Sequence, residues 1–93
     1  MAWKKKVCTG NTQVCNAPCR IKKLALEHSA ATTALIYDQF KIDGLTAGKK
    51  VWTLRTLTNK LTDEIDFGDK GAFFHEGCYV DHNAGTVLVV YKD

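Results

Sequence analysis

The sequence predicts an all-β protein, a small antiparallel β-sandwich or barrel of about seven short strands. Runs of β-branched and aromatic residues recur along the 93 residues, and turn-forming residues separate them. The clearest example spans residues 77–91, where two such runs flank the polar loop 81–85, a pattern typical of a β-hairpin. The second of these runs, residues 86–91, lacks polar alternation, which predicts that both of its faces are covered.

The chain is predicted to form a single domain, 1–93, whose residues 1–18 are a basic, cysteine-containing arm or loop. Residues 3–7 suit a short strand with Trp3 and Val7 on one face. Residues 8–18 are polar and rich in turn formers, with a brief extended piece at 13–14.

Residues 19–37 fit two structures. As strands, 19–27 and 32–37 lie on either side of a turn at 28–31, with a β-bulge near Lys22 and Lys23 that restores a single buried face. As a helix, apolar residues recur at three- and four-residue steps from Ile21, and Asn16 caps the first turn. The β-branched residues of 32–37 and the strand-like sequence that follows favour the strands.

The remaining predicted elements are a connection at 38–48, strands at 50–57 and 64–67, a turn at 68–71 and a strand at 72–76. Gly77 interrupts this last pattern. A glycine inside a strand predicts either a β-bulge or a close approach of two backbones.

Composition predicts a folded domain, because 45% of the residues are hydrophobic and the net charge is only +3. That charge is small and scattered, so nucleic acid is not an expected partner. No leader-like run and no apolar stretch of about 20 residues is visible, and we expect folding in a reducing cytosol without membrane contact. There the four cysteines are mostly free thiols. The alternative, in oxidising surroundings, is a disulfide of Cys8 with Cys15 or Cys19.

The dense run of Lys4, Lys5 and Lys6 beside Trp3 has two interpretations. It is either a solubilising terminus or an edge strand protected by charge, or it is a nucleic-acid-binding arm in which Trp3 stacks on a base and the lysines contact phosphates.

Cysteine and histidine residues raise two chemical possibilities near the C-terminus. A zinc site would draw on His75, Cys78 and His82, with Cys15 and Cys19 as another ligand pair of acceptable spacing, since zinc prefers sulfur and imidazole ligands. However, His75 and Cys78 are three positions apart and face opposite sides of a flat strand. A catalytic Cys–His pair would use the same residues with Asp81 as the orienting group, but no nucleophile loop is recognisable. We therefore expect no enzyme, no metal, no cofactor and no small-molecule substrate.

Large aromatic residues predict a homo-oligomer, because a chain of this size cannot bury all of them internally. Trp52 and Tyr79 are candidates for the subunit interface. Trp3 and the three lysines that follow it are candidates for contact with a partner.

Four segments carry a resemblance to a known group of proteins: Pro18 to Ile21, Leu35 to Asp38, Phe74 to Val80 and Gly85 to Tyr91. Together they resemble short virion proteins of tailed bacteriophages, among them head decoration or cement proteins and related structural components. The resemblance covers most of the chain after Pro18, while the lysine-rich and cysteine-rich start has no counterpart in it.

This resemblance implies a β-sandwich without catalytic residues that is assembled as an oligomer on a particle surface. The expected function is that of a non-enzymatic capsid decoration or cement protein. Its partner would be the major capsid protein or another virion component, and its location the virion after synthesis in the host cytoplasm. The alternative is a small metal- or nucleic-acid-binding module that uses the Cys and His residues and the lysine-rich N-terminus.

Overall fold

Nine β-strands form two antiparallel sheets in the computed structural model, which describes residues 2–40 and 44–92. This confirms the predicted all-β sandwich. Sheet A has five strands, which are β1 (Lys4–Cys8), β3 (Cys19–Glu27), β6 (Thr62–Asp66), β7 (Ala72–Phe74) and β9 (Thr86–Lys92). Sheet B has four strands, which are β2 (Thr12–Cys15), β4 (Thr32–Tyr37), β5 (Lys50–Thr56) and β8 (Cys78–Asp81).

The spatial order of the strands is β1-β9-β3-β6 in sheet A and β2-β8-β4-β5 in sheet B. Strand β7 pairs with the first part of β3, next to the part that pairs with β6. A short 3-10 turn at Ala47–Lys49 leads into β5. Within the described residues, no helix is long and apolar enough to span a membrane.

The core lies between the sheets, where the central strands bury their inward-facing side chains. The fully buried aliphatic side chains of sheet A are Ile21, Leu24, Leu26, Val87 and Val89. Those of sheet B are Ile36, Leu54 and Val80. These residues belong to one continuous hydrophobic cluster.

Strand β3 confirms the strand interpretation of residues 19–27 and its bulge. Its register against β9 shifts between Ile21 and Lys23. The shift keeps Ile21 on the same buried side as Leu24 and Leu26, which sequence alternation alone would have split between two faces.

The hairpin predicted for residues 77–91 is wrong. Strand β8 pairs with β2 and β4 in sheet B, whereas β9 pairs with β1 and β3 in sheet A. The loop 82–85 therefore carries the chain from one sheet to the other. The prediction failed because a strand–turn–strand pattern fixes the turn but not the partner of each strand. Cover on both faces of β9 is also incomplete, since Val87 and Val89 are fully buried but Leu88 and Val90 on the outer face are half-buried.

Gly77 lies in another connection between the sheets, where the chain passes from β7 in sheet A to β8 in sheet B. The predicted close approach is confirmed, because a Cβ at this position would lie 2.4 Å from the carbonyl oxygen of Cys15. Gly77 lies in the connection between β7 and β8 and not inside a strand, so there is no bulge at Gly77. The irregularity lies in the neighbouring strand β2, between Gln13 and Cys15.

The N-terminal residues 1–18, expected as an arm or loop, contain two paired strands. Strand β1 runs antiparallel to β9, from Lys4 opposite Tyr91 to Cys8 opposite Val87. Cys8 is buried and Val7 points outward, 59% exposed. Of the predicted connection 38–48, residues 41–43 lie outside the described residues, as do Met1 and Asp93 at the ends of the predicted domain.

Candidate interaction surfaces

Strand β5 lies at one end of sheet B and carries large apolar side chains on an open edge. Val51 is 48% exposed and Trp52 is 40% exposed. Leu57 and Leu61, in the turn between β5 and β6, are each 46% exposed. An edge strand with exposed apolar side chains is a ready surface for pairing with another chain. We call Val51, Trp52 and the adjacent backbone of β5 the β5 edge.

One N–H on the open side of β5 has a side-chain partner from β6. The N–H of Arg55 donates to Oδ2 of Asp63 over 2.8 Å, so this N–H points away from β4. In an antiparallel ladder, alternate residues direct their N–H groups to the same side. The N–H of Thr53 therefore also points to the open side of sheet B, whereas the register of β5 against β4 shifts at Val51 and interrupts the alternation there.

Trp52, a predicted interface residue, packs against the fold with one part of its side chain and exposes the other part to solvent. It lies opposite Ile36, on the side of β5 that faces sheet A. Its ring makes an edge-to-face contact with Phe67, with 6.0 Å between the ring centroids. This contact closes the gap between the sheets beside β5, and the outer part of the indole remains open to a partner.

The lysine run lies on the edge of sheet A. Lys4, Lys5 and Lys6 belong to β1 and are exposed. This arrangement matches the interpretation as a charged edge strand, because lysines along an edge disfavour pairing with another strand. The edges at β1 and β5 thus differ in chemistry, since the edge at β1 is cationic and the β5 edge carries exposed apolar side chains.

Trp3 packs against the fold next to β1 and does not extend from it. Its Cη2 atom lies near Gly71. The Nζ atoms of Lys92 and Lys22 lie over its ring, 4.6 and 5.8 Å from the centroid. Both of these cations are distant from Trp3 in sequence, and the adjacent lysine run did not reveal them.

Tyr79, the other predicted interface aromatic, is only 8% exposed. It lies between Gln13 and Tyr37 on neighbouring strands. The Nε2 group of Gln13 donates to the carbonyl oxygen of Gln39 over 2.8 Å, which ties the segment after β4 to this face of sheet B. Tyr79 thus offers little area to a partner.

The C-terminal candidates for a metal site, His75, Cys78 and His82, are not brought together. His75 is exposed and its ring packs against Phe73, with 4.7 Å between centroids. Cys78 is buried at the start of β8 and His82 follows the end of that strand. Four residues of extended chain place Cys78 and His82 about 13 Å apart. Across residues 2–40 and 44–92, no group of three or more His, Cys, Asp or Glu side chains could hold a metal ion.

The pairing of the cysteines differs from both expectations, which were mostly free thiols or a disulfide that involves Cys8. Cys15 and Cys19 form a disulfide across the turn between β2 and β3, so neither pairs with Cys8 and not all thiols are free. Cys8 and Cys78 remain buried thiols. Burial raises the pKa of both, and for Cys8 a hydrogen bond from Thr12 and the charge of Lys6 act in the opposite direction. A thiol with a raised pKa is a poor nucleophile near neutral pH.

Sequence reasoning missed Val51 as an exposed edge residue, and it did not connect Trp3 with Lys92. Both features follow from strand order and cross-strand register, which local patterns do not reveal. Comparison with protein families, curated proteins and solved structures found no match for this chain.

Proposed function

We propose that this protein is a non-enzymatic structural protein that self-associates through the β5 edge. In line with the resemblance of its segments to phage structural proteins, we further propose that it is a virion component, a capsid decoration or cement protein that binds the particle as an oligomer. The observation that carries the proposal is the open edge at Val51 and Trp52, which are 48% and 40% exposed.

The contrast between the sheet edges supports this choice. At β1 three lysines oppose pairing. Strand β6, at the other side of sheet A, carries Asp63, Glu64 and Asp66, which also disfavour pairing with a second copy. The β5 edge combines the exposed apolar side chains of Val51 and Trp52 with the outward N–H of Thr53, and the charged residues of β5, Lys50 and Arg55, lie to either side of them. A second copy of β5 aligned antiparallel would extend sheet B across a two-fold axis and cover Val51 and Trp52.

Size-exclusion chromatography with light scattering tests self-association. The expected mass is a multiple of the 10.3 kDa chain. Val51→Lys places a charge on the β5 edge and is expected to lower the mass to that of one chain. Val7→Lys is the matched control, because Val7 is also an exposed valine on an edge strand. A monomeric wild type, or equal effects of the two substitutions, would contradict the proposal.

Sedimentation with virus particles tests the virion role. The purified protein is expected to co-sediment with capsids of the virus whose genome encodes it, and Val51→Lys is expected to bind less because it loses the avidity of an oligomer. Capsid, portal or tail genes beside its own gene are the expected genomic setting. Protein that stays in the supernatant at every concentration would contradict the assignment to the virion surface.

A further inference from the structure

A row of alternating aromatic and basic residues crosses the outer face of sheet A. Arg20 in β3 lies opposite Lys92 in β9 on one side and opposite Phe73 in β7 on the other. Trp3 precedes Lys4, which lies opposite Tyr91, so Trp3 falls beside Lys92. We call Trp3, Lys92, Arg20 and Phe73 the aromatic–basic row.

The row faces outward. Arg20 is exposed between the buried residues Cys19 and Ile21, and Phe73 is 46% exposed beside the buried Phe74. Because side chains alternate along a strand, Arg20 and Phe73 point away from the core. Arg20 and Phe73 therefore lie on the open surface of the sandwich, and Trp3 and Lys92 are partly exposed beside them.

Contacts within the row hold its cations next to its rings. The guanidinium carbon of Arg20 lies 5.3 Å from the centroid of Phe73, and Nζ of Lys92 lies 4.6 Å from that of Trp3. Lys22, whose Nζ is 5.8 Å from the Trp3 ring, adds a third cation. Lys22 is within 3.7 Å of Asp69. Among the described residues, no carboxylate forms a salt bridge with Arg20 or Lys92, so no carboxylate competes with a phosphate for these two cations.

We propose that the aromatic–basic row binds single-stranded nucleic acid. Aromatic side chains stack on unpaired bases of any sequence, and neighbouring cations contact the phosphates between them. Strands in a sheet are about 4.8 Å apart, so Trp3 and Phe73 are about 14 Å apart across three intervals. An exposed sheet face with aromatic side chains can stack two or three bases in this way. The bases of a duplex are already stacked on each other and are less available to the rings.

Charge favours this ligand over an apolar partner surface. The net charge of +3 is small for the whole chain, but three cations are concentrated beside the two rings. An acidic peptide would satisfy the cations but would leave Trp3 and Phe73 without stacking partners. The row lies on sheet A and the β5 edge on sheet B, so this inference goes beyond the proposed function and is independent of it.

Fluorescence anisotropy with a labelled oligothymidylate of about 12 nucleotides tests the proposal. Wild-type protein is expected to bind at about 50 mM salt and to weaken towards about 200 mM, with a log–log slope of about −1.4 for two phosphate contacts, one from Arg20 and one from Lys92. Phe73→Ala and Arg20→Glu are each expected to weaken binding about tenfold or more, as the loss of one stacked base or one phosphate contact predicts.

Lys60→Glu is the matched control, because it changes the net charge as Arg20→Glu does but lies in the turn between β5 and β6. It is expected to change the dissociation constant less than about twofold, since it lies outside the row. Thermal unfolding and light scattering of Arg20→Glu should match those of the wild type, which separates this test from that of self-association. No binding, equal losses in Arg20→Glu and Lys60→Glu, or equally tight binding of a labelled oligoglutamate would overturn the proposal.

Discussion

Gly77→Ala tests most sharply the close approach of two backbones in the connection between β7 and β8. The added Cβ would lie 2.4 Å from the carbonyl oxygen of Cys15, well inside van der Waals contact. That oxygen cannot easily move, because Cys15 lies opposite Cys78 in the sheet and is bonded to Cys19. The φ angle of Gly77 is +149°, a conformation that residues with a side chain rarely adopt.

The two effects act together on stability. Unfavourable backbone geometry costs about 1–3 kcal/mol, and displacement of a fixed backbone adds a comparable amount. We expect Gly77→Ala to lower the free energy of unfolding by about 3 kcal/mol, and the melting temperature by about 12–24 °C for a domain of this size.

Thermal and urea unfolding, followed by tryptophan fluorescence at one fixed protein concentration, measure this change. A fixed concentration matters because self-association would shift the midpoint. Gly10→Ala is the control, since a Cβ there would meet nothing within 4 Å and should change stability by less than about 1 kcal/mol. Equal stability of Gly77→Ala and the wild type would refute the close backbone approach.

Other predictions concern the core, the thiols and the pH dependence. Thr56→Val should lower the free energy of unfolding by about 2–3 kcal/mol in a urea titration, because the buried hydroxyl donates to the oxygen of Ala30 and accepts from the N–H of Thr32; an unchanged midpoint would argue against this bridge. Without a reductant, a thiol reagent should modify the folded protein slowly and should modify two thiols once the protein is denatured. After reduction of the denatured protein it should modify four, in agreement with one disulfide and two buried thiols. Rapid labelling of the folded protein would contradict the burial of Cys8 and Cys78. Stability should be independent of the thiols below pH 9.0, their ordinary pKa, and should fall above it, because the unfolded chain loses thiol protons there while the raised pKa values keep Cys8 and Cys78 protonated in the fold. Cys78→Ala should make that alkaline slope shallower in urea titrations from about pH 8 to about pH 10.5, and an identical slope would count against the burial of this thiol.

Local sequence patterns were sufficient for most individual strands. Residues 19–27 and 32–37 are strands as expected, because β-branched residues and the bulge near Lys22 satisfy a single buried face. Gly77 was singled out correctly, since a glycine in an otherwise extended segment usually answers a steric demand.

The pairing of strands was not predictable in the same way. The loop 82–85 has the residues of a hairpin turn, yet it connects strands in different sheets. Which strand lies beside which depends on the sum of buried contacts over the whole core, and no local window contains that information. The exposure of Val51 and the meeting of Trp3 with Lys92 depend on the same global order, so these surfaces became visible only in the structure.

Hydrogen exchange at the N–H groups of β5 tests the self-association claim most directly. If a second copy pairs with the β5 edge, the N–H of Thr53 should exchange more slowly as the protein concentration rises, while the N–H groups of β1 should not change. Exchange in β5 that is independent of concentration, or protection that rises only in β1, would contradict the proposed interface.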